Sequence, residues 1–321
     1  GVPLRCTQNP TMGEEWRRGW HPERIAPATS EQKILVVGAG PAGLEAARAL
    51  GQRGYAVTLA EARTELGGRV TRESSALPGL SEWARVRDWR VGQIEKLPNV
   101  EVFLGSELDA EQILEFGADR VVLATGAEWR RNGLGRWHLA PIEGWQSAHV
   151  LTPDDLMDGV VPEGPVVVFD DDYYYMGSVV AEKLARMDLD VTYATPVGKV
   201  AEWAYTTEEQ RRAQARLLEL GVHLATGTAL QSLAHGKAVL ACAYTGRARE
   251  VPAASVVMVT SREPRDALYH ELCEAVEIAR IGDCSAPGII AAAVYAGHRY
   301  ARTLGLDPAA AKVPRERAVV P

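Results

Sequence analysis

ILVVGAGPAG, residues 34–43, decides the fold. Four apolar residues suited to a buried strand run straight into glycines at 38, 40 and 43, the G-x-G-x-x-G spacing of a dinucleotide-binding turn. Gly38 permits the tight turn, Gly40 lets backbone approach a pyrophosphate, and Gly43 lets the following helix pack against the strand. Pro41 and Ala42 open that helix, whose free N–H groups and positive dipole end suit phosphate. Leu44, Ala47 and Leu50 then recur at helical spacing up to the Gly54-Tyr55 turn. AVTLA (56–60) is the next strand, and Glu61 ends it where a carboxylate accepts the adenosine ribose hydroxyls, with Ala62 beside it. An adenine nucleotide is the expected ligand.

Strands alternate with helices from Glu31 onward, which predicts an α/β fold with parallel sheets. ELGGR (65–69) supplies Gly68 and Arg69, VVLATGA (121–127) supplies Thr125 and Gly126, and EIARIGD (277–283) ends in Asp283. These segments, in this order, resemble the FAD-binding domain of the glutathione- and thioredoxin-reductase-like superfamily. In that superfamily the late Asp holds the ribityl chain of a flavin. The resemblance implies two Rossmann-like dinucleotide-binding domains, the second inserted into the first. The expected division is a connecting segment at 1–30, a FAD- or ADP-binding domain at 31–150 and 276–321, and a degenerate NAD(P)-binding-like domain at 151–275. Residues 1–30 carry prolines, glycines and two tryptophans without a hydrophobic period, so they read as a lead-in that wraps over other structure.

The second unit repeats the strand–turn–helix pattern with different chemistry. FDDDYYYMGS (169–178) lacks the first two fingerprint glycines; only Gly177 remains near the helix start. If Asp170, Asp171 and Asp172 face a pyrophosphate, each charge pair costs roughly 3 kcal/mol at ~5 Å and an effective dielectric of ~20. An aspartate at such a helix start can also occupy its positive end. The strand at 190–194 ends in Thr195-Pro196 with no ribose acid. No NAD(P)H is therefore expected, and adjacent carboxylates that point different ways do not suggest a metal site.

Composition bounds the rest. The 321 residues are 46% apolar and 24% charged, which describes a globular protein. A formal charge of −7 without a basic block argues against nucleic acid as a partner. No apolar run approaches the ~18 residues of a membrane span, and IIAAAVYAG (289–297) reads as a buried helix. A cytoplasmic location is the default expectation. Cys6, Cys242, Cys273 and Cys284 form no C-x-x-C pair, so no dithiol motif or self-contained zinc site is visible. Cys284, His21 and His298 read as packing residues. Trp83 and Trp89 among Arg85, Arg87 and Arg90 read as a face that contacts a neighbouring domain. The chain begins with Gly, which is expected of a processed product or a piece of something longer.

CTQNPTMGEEWRRGWHPERI (6–25), the fingerprint, ALPGLSEWARVRDWR (76–90) and the degenerate second turn together resemble the C-terminal half of the trimethylamine, dimethylamine and histamine dehydrogenase family. The more distant 2,4-dienoyl-CoA reductase keeps a glycine-rich NADPH turn that this sequence lacks. The resemblance implies an FMN-bearing barrel and a 4Fe-4S cluster outside this chain's own segments, and Cys6 as the fourth cluster ligand. It implies ADP or FAD at the first Rossmann site, an electron-transfer flavoprotein as partner and an oligomeric assembly. In that family electrons pass from the amine through FMN and the cluster. No residue of this chain is assigned a catalytic role, and amine oxidation is not expected of it alone. A FAD-dependent NAD(P)H oxidoreductase and a non-catalytic nucleotide-binding assembly module are the alternatives.

Overall fold

The computed structural model describes residues 5–15, 18–20, 23–146 and 149–306. The chain runs β1 (Lys33–Val37), α1 (Pro41–Arg53), β2 (Ala56–Ala60), α2 (Arg69–Ala76), α3 (Ala84–Ile94), β3 (Val100–Phe103), α4 (Ala110–Phe116), β4 (Arg120–Leu123) and β5 (Ala127–Trp129). It continues with β6 (Val150–Leu151), α5 (Pro153–Met157), β7 (Val166–Asp170), α6 (Met176–Ala185), β8 (Val191–Thr195), α7 (Gln210–Glu219) and β9 (His223–Thr226). Then come β10 (Thr228–Ala234), β11 (Lys237–Cys242), β12 (Ala248–Pro252), β13 (Ser255–Val259), β14 (Arg262–Pro264), α8 (Ala267–Leu272), β15 (Ile278–Arg280) and α9 (Ile290–Thr303).

Two compact units result, each a Rossmann-like α/β unit, with the second inserted into the first. The first comprises 1–71, 83–127 and 264–321; the second comprises 72–82 and 128–263. The first unit carries a parallel sheet ordered β15-β4-β1-β2-β3, and the second a parallel sheet ordered β6-β13-β7-β8-β9 plus an antiparallel β10-β11-β12 sheet. Central strands are buried on both faces: helices cover both sides of β1, whereas β7 packs residues such as Val167 and Phe169 against Leu230, Leu233 and Leu240 of the antiparallel sheet and has α6 on its other side.

The units divide at 127/128 and 263/264, displaced from the 150/151 and 275/276 expected of the sequence, and the packing supplies the reason. Ile142 and Val150 lie in the second unit's core, while Leu272 of α8 is buried with Leu35 and Ile113 in the first. Residues 72–82 side with the second unit through an Arg72–Asp154 ion pair at 3.1 Å and a Lys183 hydrogen bond to the Ala76 carbonyl.

Local signals explain the helices. Asp109 and Gln112 form a capping box at α4, which Gly117 ends in the left-handed conformation. In the lead-in, Trp20 is buried against Tyr295 and His298 of α9, at ring-centroid distances of 6.0 and 5.3 Å. His21 lies outside the described residues. No helix among the described residues is long and apolar enough to cross a membrane.

Candidate functional site

In the first unit the three fingerprint glycines have separate jobs. Gly38 has φ +99°, and a Cβ there would lie 2.5 Å from the Ala124 carbonyl oxygen. A Cβ on Gly43 would lie 1.8 Å from the Gly38 oxygen. The fold itself therefore demands glycine at 38 and 43. Gly40 is different: it caps α1 in an extended conformation, and nothing lies within 4 Å of where its Cβ would be. That empty space sits at the N-terminus of α1, where backbone N–H groups remain free for an anion.

Neighbouring segments fix the turn. Glu61 is buried; its Oε2 accepts the Ala39 N–H at 2.7 Å and its Oε1 accepts the Arg63 N–H at 3.0 Å. Each carboxylate oxygen keeps a lone pair for a ribose hydroxyl. The Gly67 N–H donates to the Ala39 carbonyl at 2.8 Å, and Gly68 comes so close to Gly40 that an added Cβ would lie 3.0 Å from the Gly40 Cα. Ala42 is pressed by α9, since a Cβ on Gly297 would sit 2.2 Å from the Ala42 oxygen. Pro41 occupies the first turn of α1, Ala62 is exposed, and Arg69 reaches the Ala127 carbonyl at 3.5 Å. β1, β4 and β15 are adjacent and parallel, so the residues after their C-terminal ends share one edge of the sheet. Thr125, Gly126 and Asp283 follow β4 and β15 there. Thr125 donates to the Arg265 carbonyl at 2.5 Å, Gly126 has φ +79°, and Asp283 accepts the Gly288 N–H at 2.9 Å.

The second turn corrects an expectation. Asp170 and Asp171 do not face outward toward a ligand; both are fully buried. The Asp170 Oδ1 accepts the N–H groups of Asp172 and Tyr173 at 3.1 and 3.0 Å, and its Oδ2 is hydrogen-bonded to the Tyr193 hydroxyl. Burial pushes the Asp170 carboxyl up to about 7. Asp171 accepts the Tyr173 hydroxyl at 2.5 Å and, through Oδ2, the Trp137 N–H at 2.9 Å, so it ties the 132–142 loop to the strand ends. Gly177 and Gly135 leave room for these carboxylates: a Cβ on Gly177 would lie 2.4 Å from the Asp170 Cγ, and one on Gly135 2.2 Å from the Asp171 Oδ2. The turn is thus filled by its own side chains. Of the two sequence readings of these aspartates, facing a ligand or occupying the turn themselves, the hydrogen bonds show the second for Asp170.

The Cys6 sulfur is half-buried and accepts the Gln8 and Asn9 N–H groups at 3.4 and 3.3 Å. Two such donors suit a sulfur that ligates iron. The other cysteines lie elsewhere; Cys284 is buried, with its sulfur 3.1 Å from the Thr125 hydroxyl. Among the described residues no group of three or more His, Cys, Asp or Glu is placed to hold a metal ion, so Cys6 offers a single ligand.

Sequence reasoning missed a buried ion cluster behind α1. Glu45 and Arg90 are fully buried and joined at 2.9 Å; Arg48 reaches Glu45 at 2.5 Å and the His298 Nδ1 lies 2.8 Å from it. Burial alone would raise the Glu45 carboxyl. The His298 hydrogen bond and the Arg48 and Arg90 charges outweigh it and hold Glu45 at about 2. The available signal was an acid and a base three residues apart on a helix that is otherwise apolar up to its last two residues, Gln52 and Arg53. Trp89 lies beside this cluster with Arg48 5.3 Å from its ring centroid, and Trp83 packs against Val70, Val86 and Val294.

A family model described as pyridine nucleotide-disulphide oxidoreductase matches residues 32–154. Dimethylamine dehydrogenase of Hyphomicrobium sp. (strain x) is 40% identical over 95% of this chain and 46% of its own. The structure of histamine dehydrogenase from Rhizobium sp. 4-9 superposes with a TM-score of 0.91 at 47% identity, across 94% of this chain and 48% of that one. The chain belongs to the dimethylamine and histamine dehydrogenase family. It spans about half the length of these relatives, and their whole-protein activities are not thereby its own. NADH oxidase of Thermoanaerobacter brockii is 30% identical over 93% of this chain and 44% of its own. Thioredoxin reductase of T. acidophilum, at 15% identity and a TM-score of 0.57, shares the fold alone.

Proposed function

We propose that this family member is the adenine-nucleotide-binding region or subunit of an iron–sulfur flavoprotein oxidoreductase of the amine dehydrogenase type. The observation that carries the reading is the contrast between its two turns: one open at Gly40 and one filled by Asp170 and Asp171. ADP or FAD would lie at Gly38, Gly40, Pro41, Ala42 and Gly43, with Glu61 on the ribose. Gly68 and Arg69, Thr125 and Gly126, and Asp283 would line the same sheet edge. Cys6 would supply one thiolate to a 4Fe-4S cluster whose other ligands, with an FMN-bearing barrel, come from a partner domain or subunit. The flavin and cluster would supply the redox chemistry; the residues of this chain bind, orient and shield. An electron-transfer flavoprotein as acceptor fits the same reading. The names of the relatives, dimethylamine dehydrogenase and histamine dehydrogenase, support an amine as the substrate class.

The similarity to an NADH oxidase favours a second reading, a flavoprotein that takes hydride from NAD(P)H. The filled second turn opposes it. Mass analysis and absorbance of ligand released from the purified protein separate the two. Colourless ADP is expected; a flavin band near ~450 nm that bleaches on mixing with NADH overturns the first reading in favour of the second.

A further inference from the structure

Arg90 is fully buried, and each direction of its guanidinium fork has a partner. Its Nε donates to Glu45 at 2.9 Å and its Nη1 to the Val86 carbonyl at 2.7 Å. Its Nη2 donates to the carbonyls of Thr7 and Gln8, at 3.3 and 3.1 Å. Those carbonyls belong to the two peptide groups whose N–H ends, on Gln8 and Asn9, point at the Cys6 sulfur. A trans peptide is planar, with its C=O and N–H on opposite sides. Whatever holds both oxygens on one side therefore aims both hydrogens on the other.

We propose that Arg90 is the positioning residue of the Cys6 sulfur: by gripping two consecutive carbonyls it turns both N–H groups onto that sulfur. The proposal rests on the reading of Cys6 as a cluster ligand for its consequence, but not for its geometry. A cation at the carbonyl end polarises each amide and strengthens its N–H···S bond. Glu45, itself gripped by Arg48 and His298, keeps the guanidinium in place. Since Glu45 lies on α1, the helix that begins at the nucleotide turn also anchors the sulfur's donors. A lysine cannot replace Arg90, because a single ammonium cannot span these four partners in a fixed plane. Hydrogen bonds to a ligating sulfur withdraw charge and raise a cluster's reduction potential.

The test uses Arg90→Lys and the paired Glu45→Gln/Arg90→Met, which removes both buried charges together. Amide hydrogen exchange is measured by NMR on the chain as purified. Exchange at Gln8 and Asn9 is expected to speed up by roughly ten-fold or more. The Thr11 amide, held by the Asn9 side chain, and the Glu14 amide, held by the Thr11 carbonyl, keep their rates. Equal release of all four amides would show that Arg90 merely holds the segment down, and unchanged rates would also overturn the proposal. In the protein assembled with its cluster-bearing partner, the variants keep their iron content. Their reduced-to-oxidised ratio at fixed poise falls about ten-fold, or about 59 mV for one electron. An unshifted potential with slowed or unchanged exchange sinks the proposal. If the wild-type assembly holds no cluster while Cys6→Ser changes nothing, the ligand reading fails, and the amide measurement alone still decides the role of Arg90.

Discussion

Each unit buries a carboxylate close to its strand–turn–helix motif, and the two are shifted in opposite directions. Glu45 sits among Arg48, Arg90 and His298 and is held at about 2. Asp170 sits among tyrosines and backbone N–H groups, and burial raises it to about 7. Depth is the same; the company differs. In the first unit the charge is spent behind the helix, which leaves the turn at Gly40 empty for a ligand. In the second a carboxyl that burial raises to about 7 fills the turn itself.

Substituting each carboxylate by its amide is the strongest way to break this comparison. Glu45→Gln leaves buried cations without their anion and is expected to lower stability by about 3–5 kcal/mol in urea unfolding. Asp170→Asn imitates the protonated acid, keeping an oxygen for the two backbone N–H groups, and should cost under ~1 kcal/mol at pH ~5. A penalty for Asp170→Asn as large as that for Glu45→Gln would show that both acids are ionised.

The pH dependence should also run in opposite directions. Because Asp170 is raised in the folded state, its contribution is complete below pH ~4, declines as pH rises toward ~7, and levels above. The change is on the order of a few kcal/mol. Because Glu45 is depressed, its contribution is complete above pH ~4.5 and disappears as pH falls toward ~2. Hydrogen exchange of peptides from each unit, followed with pH, reads the two slopes separately. The Asp170→Asn variant should flatten only the second unit's slope.

Smaller effects sharpen the contrast within the first turn. Gly43→Ala forces a methyl into the Gly38 carbonyl and should cost about 1–3 kcal/mol, with loss of ADP-induced thermal stabilisation. Gly40→Ala meets open space, so its melting temperature should stay within ~1 °C while ADP affinity falls by about ten-fold, or about 1.4 kcal/mol. Equal effects of the two alanines would deny Gly40 its distinct role.

The fold was readable because it rests on local, repeated signals. A buried strand, a glycine turn and a helix at 34–53 can be recognised without knowing what surrounds them, and Asp109 and Gly117 bracket α4 by cap chemistry alone. Glu61 was readable for the same reason, as it ends a strand at a set distance from the turn. Its hydrogen bond to the Ala39 N–H was not, because that depends on how two segments meet. Glu45, Arg48 and Arg90 escaped notice because a charged residue on a helix normally marks its solvated face, whereas α1 is covered by α3 and α9. Asp170 and Asp171 were seen, but placed outside the turn. Charge type is visible in a sequence, while the direction in which a side chain leaves the backbone depends on φ, and Tyr173 has φ +64°.

Gly135 and Gly177 make the filled turn depend on several residues at once. Both glycines are shaped around a carboxylate: remove Asp170 or Asp171 and the result is a hole walled by Tyr193, Tyr173 and the 132–142 loop, not a phosphate cradle. Opening this turn to a dinucleotide would require the loop, the tyrosines and the aspartates to change together. Single-substitution libraries screened for NADH binding at this turn should therefore return nothing.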